Sequence, residues 1–136
     1  MTSRLNPYIA FSDDARQALE FYRGVFGGEL HLSTFGESGM ADGPDADKVM
    51  HGQLETPAGY TLMAADTPTG MDRTVGTNVA VSLSGDDGDL RGYFAALAEG
   101  GTVTMPLEKQ MWGDEFGMCV DRFGVAWMVN ISQPAA

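Results

Sequence analysis

The sequence predicts an α+β fold of two tandem β-α-β-β-β modules whose strands offer one concave surface. Three observations lead there. Two stretches follow one plan, "NPYIAFSDDARQALEFYRGVFGGEL" (6–30) and "NVAVSLSGDDGDLRGYFAALAEGGTV" (78–103): an Asn, an apolar run, a Ser and Asp turn, a helical pattern, an aromatic pair and Gly-Gly. Each is followed by a hairpin pattern. The loop "GESGMADGPDADK" (36–48), rich in Gly, Asp and Pro, separates the pieces of the first half.

Taken in order, the strand over 6–12 alternates, with Pro7, Ile9 and Phe11 suited to a helix and Asn6, Tyr8 and Ala10 on the opposite face. The first helix places Ala15, Ala18, Leu19, Tyr22 and Val25 on one side, with Ser12 or Asp13 as cap and Gly27-Gly28 as stop. The hairpin over 49–66 turns at Pro57-Ala58-Gly59 and sets Val49, His51, Gln53 and Glu55 against Met50, Gly52 and Leu54. A strand over 77–83 gives Val79, Val81 and Leu83 to its helix and Asn78, Ala80 and Ser82 to the other side. The second helix buries Leu90, Phe94 and Leu97, starts at Asp86 or Asp87, ends at Gly100-Gly101 and is weakened by Gly92. The last hairpin, 116–132, turns at Asp121–Gly124 and divides Val125, Trp127 and Val129 from Ala126, Met128 and Asn130.

Neither half can bury both faces of a four-stranded sheet alone, so residues 1–136 are expected to form one domain, with modules at about 3–68 and 75–132. The net charge of −11, from 19 acids against 8 Lys plus Arg, argues against nucleic acid or an anionic membrane as partner and favours a cationic ligand. Without a signal-peptide core or an apolar span, the expected location is the cytoplasm. The lone Cys119 excludes an internal disulfide and a multi-Cys zinc site. The Gly-Gly pairs lack the Lys and the spacing of a phosphate loop, and no Ser-His-acid arrangement is evident.

The segments "NPYIAF" (6–11), "ALEFYRGVFGGEL" (18–30), "VMHGQLE" (49–55), "LMAAD" (62–66) and "MWGDEFGMCVDRFGVAWMVN" (111–130) resemble the PhnB-like branch of the vicinal oxygen chelate superfamily. That superfamily contains glyoxalase I, extradiol dioxygenases and the bleomycin-resistance proteins. The resemblance implies that the two modules form a curved, partly closed mixed sheet around a cup, within a homodimer. In the enzymes it implies a divalent metal held by up to four ligands from the first and last strands of each module. The corresponding positions here are about Asn6, His51, Asn78 and Met128. Of these only His51 is a good ligand for such an ion; Met128 is a soft thioether suited to Cu(I). No metal ligand is therefore assigned, and the cofactor is left open.

The expected function is to hold a small molecule in the cup without a strong metal site. His51 is the candidate catalytic residue; Asn6, Tyr8, Gln53, Asn78, Trp112, Phe116 and Met128 are the candidate ligand contacts. The alternative is a metal-dependent isomerase, lyase or dioxygenase using His51 as ligand or base, and a third possibility is an interaction module working through its dimer surface. Trp112 reads as a lid or a packing residue, Trp127 as core, Cys119 as a buried thiol, and Asp114 and Glu115 as solvated acids or a base. The methionines read as core filling or an adaptable lining. His31 has no partner evident in sequence and reads as structural or surface.

Overall fold

The computed structural model describes residues 3–39, 43–71 and 73–133. The chain divides into two compact units, Met1–Val75 and Gly76–Ala136. Met40, one of the methionines read as lining, lies outside the described residues.

The first unit contains β1 (Tyr8–Phe11), α1 (Ala15–Phe26), β2 (Glu29–Thr34), β3 (Val49–Glu55) and β4 (Thr61–Asp66). Its sheet runs β1-β4-β3-β2, with β1 and β4 parallel and the other pairs antiparallel. The second unit contains β5 (Val81–Gly85), α2 (Asp89–Ala98), β6 (Thr102–Lys109), β7 (Glu115–Val120) and β8 (Ala126–Ile131). Its sheet runs β5-β8-β7-β6 with the same sense at each pairing. The β-α-β-β-β repeat predicted from sequence is therefore present in both halves.

In the first unit Ala15, Ala18, Leu19, Tyr22 and Phe26 of α1 are buried, with Phe11, Leu54, Leu62 and Ala64 from the sheet. Phe26, not Val25, closes that stripe, because position i+11 from Ala15 returns to the buried side while i+10 falls on its flank. The cap also differs from expectation. Neither Ser12 nor Asp13 caps α1; Asp14 takes the cap position without a side-chain bond. The carboxylate of Asp66 does the work from β4, accepting the Ala15 N–H and the Val49 N–H, each at 2.9 Å. An anion at a helix N-terminus satisfies an orphan donor and complements the dipole.

Val49 does not share a face with His51. Thr34 pairs with Val49 and Ser33 with His51, so Met50 is an extra residue on β3 and the register shifts there. The bulge turns Val49 into the core, 1% exposed, while His51 and Gln53 keep the opposite face.

In the second unit Leu90, Phe94 and Leu97 of α2 are buried, as are Leu83, Cys119, Trp127, Val129 and Ile131. Gly88, not Asp86 or Asp87, stands at the cap position, and the Asp87 carboxylate just before it accepts the Asp89 N–H at 2.9 Å. β5 begins at Val81, not near 77, and its parallel pairing with β8 starts from Val81 opposite Trp127. Asn78 and Val79 are consequently exposed. Gly27 caps α1 as expected, whereas α2 is capped at Glu99 ahead of Gly100-Gly101, and the second glycine of each pair serves strand approach. A Cβ on Gly28 would strike the Glu55 carbonyl, and one on Gly101 the Val120 carbonyl. Among the described residues no helix is long and apolar enough to cross a membrane.

Candidate functional site

Each sheet has one face against its own helix and one face away from it. On the first sheet the register aligns Tyr8 on β1, Met63 on β4, Gln53 on β3 and His31 on β2 in a single row on the face away from α1. His51 stands one step along β3, opposite Ser33. The Tyr8 hydroxyl lies 3.3 Å from His51 Nδ1, with the ring centroids 5.7 Å apart and tilted by 37°. Tyr8 is 56% exposed and His51 and Gln53 are half-buried, so the pair is held yet reachable. At one end Arg4 donates to Thr61 Oγ1 at 3.3 Å and pairs with Glu55 at 3.5 Å. At the other end Ala10 and Ala65, paired in register, leave a low floor. A phenol, an imidazole, an amide and a thioether thus share one surface, able to hydrogen-bond and to stack on a small organic molecule.

Of the residues expected in the site, the first unit brings together Tyr8, His51 and Gln53. Asn6 is half-buried just before β1. His31 is exposed on β2, in keeping with its reading as a surface residue, and only the pairing of β2 with β3 aligns it with Gln53. His31 Nε2 lies 3.9 Å from Glu29 Oε2.

In the second unit Met128 and Phe116 are half-buried on the face away from α2, and Asn78 is exposed ahead of β5. Trp112 sits in the turn closed by Gln110 N–H to Asp114 carbonyl (2.8 Å) and Gly113 N–H to Gln110 carbonyl (3.0 Å). It is 61% exposed and meets Phe116 edge-on at 6.1 Å. Asp114 is not a free base: its carboxylate accepts Asn130 Nδ2 at 3.0 Å and the Gln133 N–H at 3.3 Å. Glu115 is paired with Arg91, whose guanidinium holds the carboxyl below the usual glutamate range. Trp127 is core, as its parity predicts, and donates from Nε1 to Asp121 at 2.9 Å. Cys119 is 1% exposed; burial, and then the charge of Asp121, push its thiol pKa up.

The positions implied for a divalent metal offer two amides, one imidazole and one thioether. Asn6 and Asn78 precede their strands, and His51 is on β3, whereas the last strand of its unit is β4. There Ala65, paired with Ala10 as Met128 is with Ser82, carries no donor. Among the described residues no three His, Cys, Asp or Glu side chains cluster as a metal site. This donor set does not fit the strong divalent site of the metalloenzymes.

Comparison with known proteins agrees with this architecture. A profile of the Glyoxalase/Bleomycin resistance protein/Dioxygenase superfamily matches residues 4–129. Protein PA1353 from Pseudomonas aeruginosa, of known structure, is 37% identical, aligning over 98% of this chain and 100% of its own with a TM-score of 0.86. Protein Mb0911c of Mycobacterium bovis is 34% identical over 96% of this chain and 82% of its own length. The structure of a PhnB protein from Bacillus cereus, 20% identical over 96% of this chain and 100% of its own, shares the fold with a TM-score of 0.75.

Proposed function

Because this chain belongs to the Glyoxalase/Bleomycin resistance protein/Dioxygenase superfamily, we propose that it binds a small organic molecule in a cup floored by the first sheet. The observation that carries the reading is the Tyr8–His51 pair, held at 3.3 Å on the exposed face beside Gln53. Tyr8 offers a ring face for stacking, and His51 and Gln53 offer donors and acceptors that fix orientation. Met63, between Tyr8 and Gln53 in register, supplies an adaptable apolar surface. The net charge of −11 favours a ligand that is cationic or amphipathic.

The resemblance further supports reading residues 1–136 as one domain of a cytoplasmic homodimer, with Asn6, Asn78, Trp112, Phe116 and Met128 as further ligand contacts. A second reading, an isomerase, lyase or dioxygenase of the superfamily type, is favoured by the same pair, since Tyr8 orients His51 as a positioned base would need. The donor set gives no support to a strong metal ligand for that chemistry.

The test is a thermal-shift screen of aromatic, cationic and glycopeptide compounds, repeated on His51→Ala and Gln53→Ala. The reading expects hits that stabilise the wild type and lose most of their shift in both variants. Hits indifferent to both substitutions would overturn it. If a turnover is found, an unchanged rate in His51→Ala would remove the catalytic assignment.

A further inference from the structure

On the second sheet, the face away from α2 carries a row of which the proposed ligand contacts include only Met128. Ser82 on β5, Met128 on β8, Met118 on β7 and Met105 on β6 stand opposite one another, strand to strand. Three thioethers therefore lie side by side on adjacent strands. Directly opposite residues share a face with Cβ atoms about 4.5–5.5 Å apart. Each methionine sulfur stands on an unbranched arm with three rotatable bonds, so the outer two can lean towards the middle one. Met118 and Met128 are half-buried and Met105 is 40% exposed, which leaves the row open to solvent.

The edge strand is bent to complete this row. From Val103 opposite Cys119, regular pairing would bring Thr104 opposite Met118, and Met105 would share the face of Val103. The register instead shifts on both sides of Met105 and brings that residue opposite Met118. Bulges of this kind re-aim a side chain at the cost of ladder bonds. Gly117 lets the bent strand approach, since a Cβ there would lie 2.8 Å from Leu107 Cα.

Neutral thioethers are poor ligands for hard or borderline divalent ions and good ones for soft monovalent copper. Phe116, two residues from Met118 on the same face, places an aromatic ring beside the row, where a cation is stabilised by the ring quadrupole. The acidic chain compensates the charge that the thioethers leave unpaired. The geometry points to a binding site for a soft monovalent metal ion, Cu(I) or its analogue Ag(I), formed by Met105, Met118 and Met128. The buried Cys119 is the competing soft donor, but it lies on the helix side of β7.

The test is anaerobic titration of the full-length protein with Cu(I) in competition with bicinchoninate. His51→Ala and Cys119→Ser serve as controls, and Ag(I)-dependent melting as a second readout. One equivalent should be held by the wild type and by both controls. Met118→Leu and Met128→Leu, which keep size and apolarity, should each weaken retention by about tenfold or more, at least what loss of a supporting residue costs a metal site. Both should melt like the wild type without metal. The site is refuted if bicinchoninate keeps the copper, if the leucine variants bind as tightly as the wild type, or if Cys119→Ser abolishes binding. None of these results depends on whether the first sheet binds its organic ligand.

Discussion

Asp66 and Asp121 are buried carboxylates, 5% and 3% exposed, and each accepts hydrogen bonds from more than one part of its unit. Asp66 ties the start of α1 to β3. Asp121 gathers Phe123 N–H, Val125 N–H and Trp127 Nε1 around the β7–β8 turn. Removing such an acceptor leaves buried donors without partners. Asp66→Ala should therefore cost about 2–4 kcal/mol, read as a lower urea midpoint at unchanged m-value. Asp66→Asn, which keeps one acceptor, should cost less. Glu115 gives a pH dependence. Its carboxyl is held low mainly by the hydrogen bond from Arg91, so the folded state releases that proton more readily than the unfolded chain. The stabilisation is complete above the ordinary glutamate range and is lost as pH falls through the lowered folded value. Arg91→Ala should flatten that part of the acid limb in a series of melting curves; an unaltered limb would dismiss the pair as its source.

At the scale of elements, the buried faces of the helices were the most legible, since a period of 3.6 over twelve residues in α1 and ten in α2 leaves little choice. Gly92 remains a weak point of α2. A Cβ there meets nothing within 4 Å, so Gly92→Ala should stabilise by about 0.5–1 kcal/mol. Gly101→Ala should act the other way, losing about 1–3 kcal/mol because Val120 must move. Denaturant titration of each variant checks both expectations. The strands were legible in parity and less so in extent. Trp127, Val129 and Leu83 face the core as alternation predicts, while Val49 and Met105 depart from it. Those departures are bulges, and a bulge depends on what the partner strand needs, which local sequence does not carry. The cap from Asp66 was hidden for the same reason: donor and acceptor are far apart in the chain.

At the scale of the molecule, the repeat carries one scheme through both units, with the same strand order and the same parallel pair. Their open faces have diverged. The first displays Tyr8, His51, Gln53 and His31, and the second Met128, Met118, Met105 and Phe116. Parity alone indicated Tyr8, His51 and Gln53 as companions. Neither His31 nor the methionine row could be found that way, since both depend on register between strands. The chain has only 2 histidines, which makes the open face of the first sheet easy to follow. The decisive measurement is an imidazole-selective NMR titration with the strongest compound from the screen. The ring signals of His51 should move and saturate with the binding curve, and Tyr8→Phe should weaken that curve. Saturable binding that leaves the His51 signals still would contradict a ligand site on the first sheet.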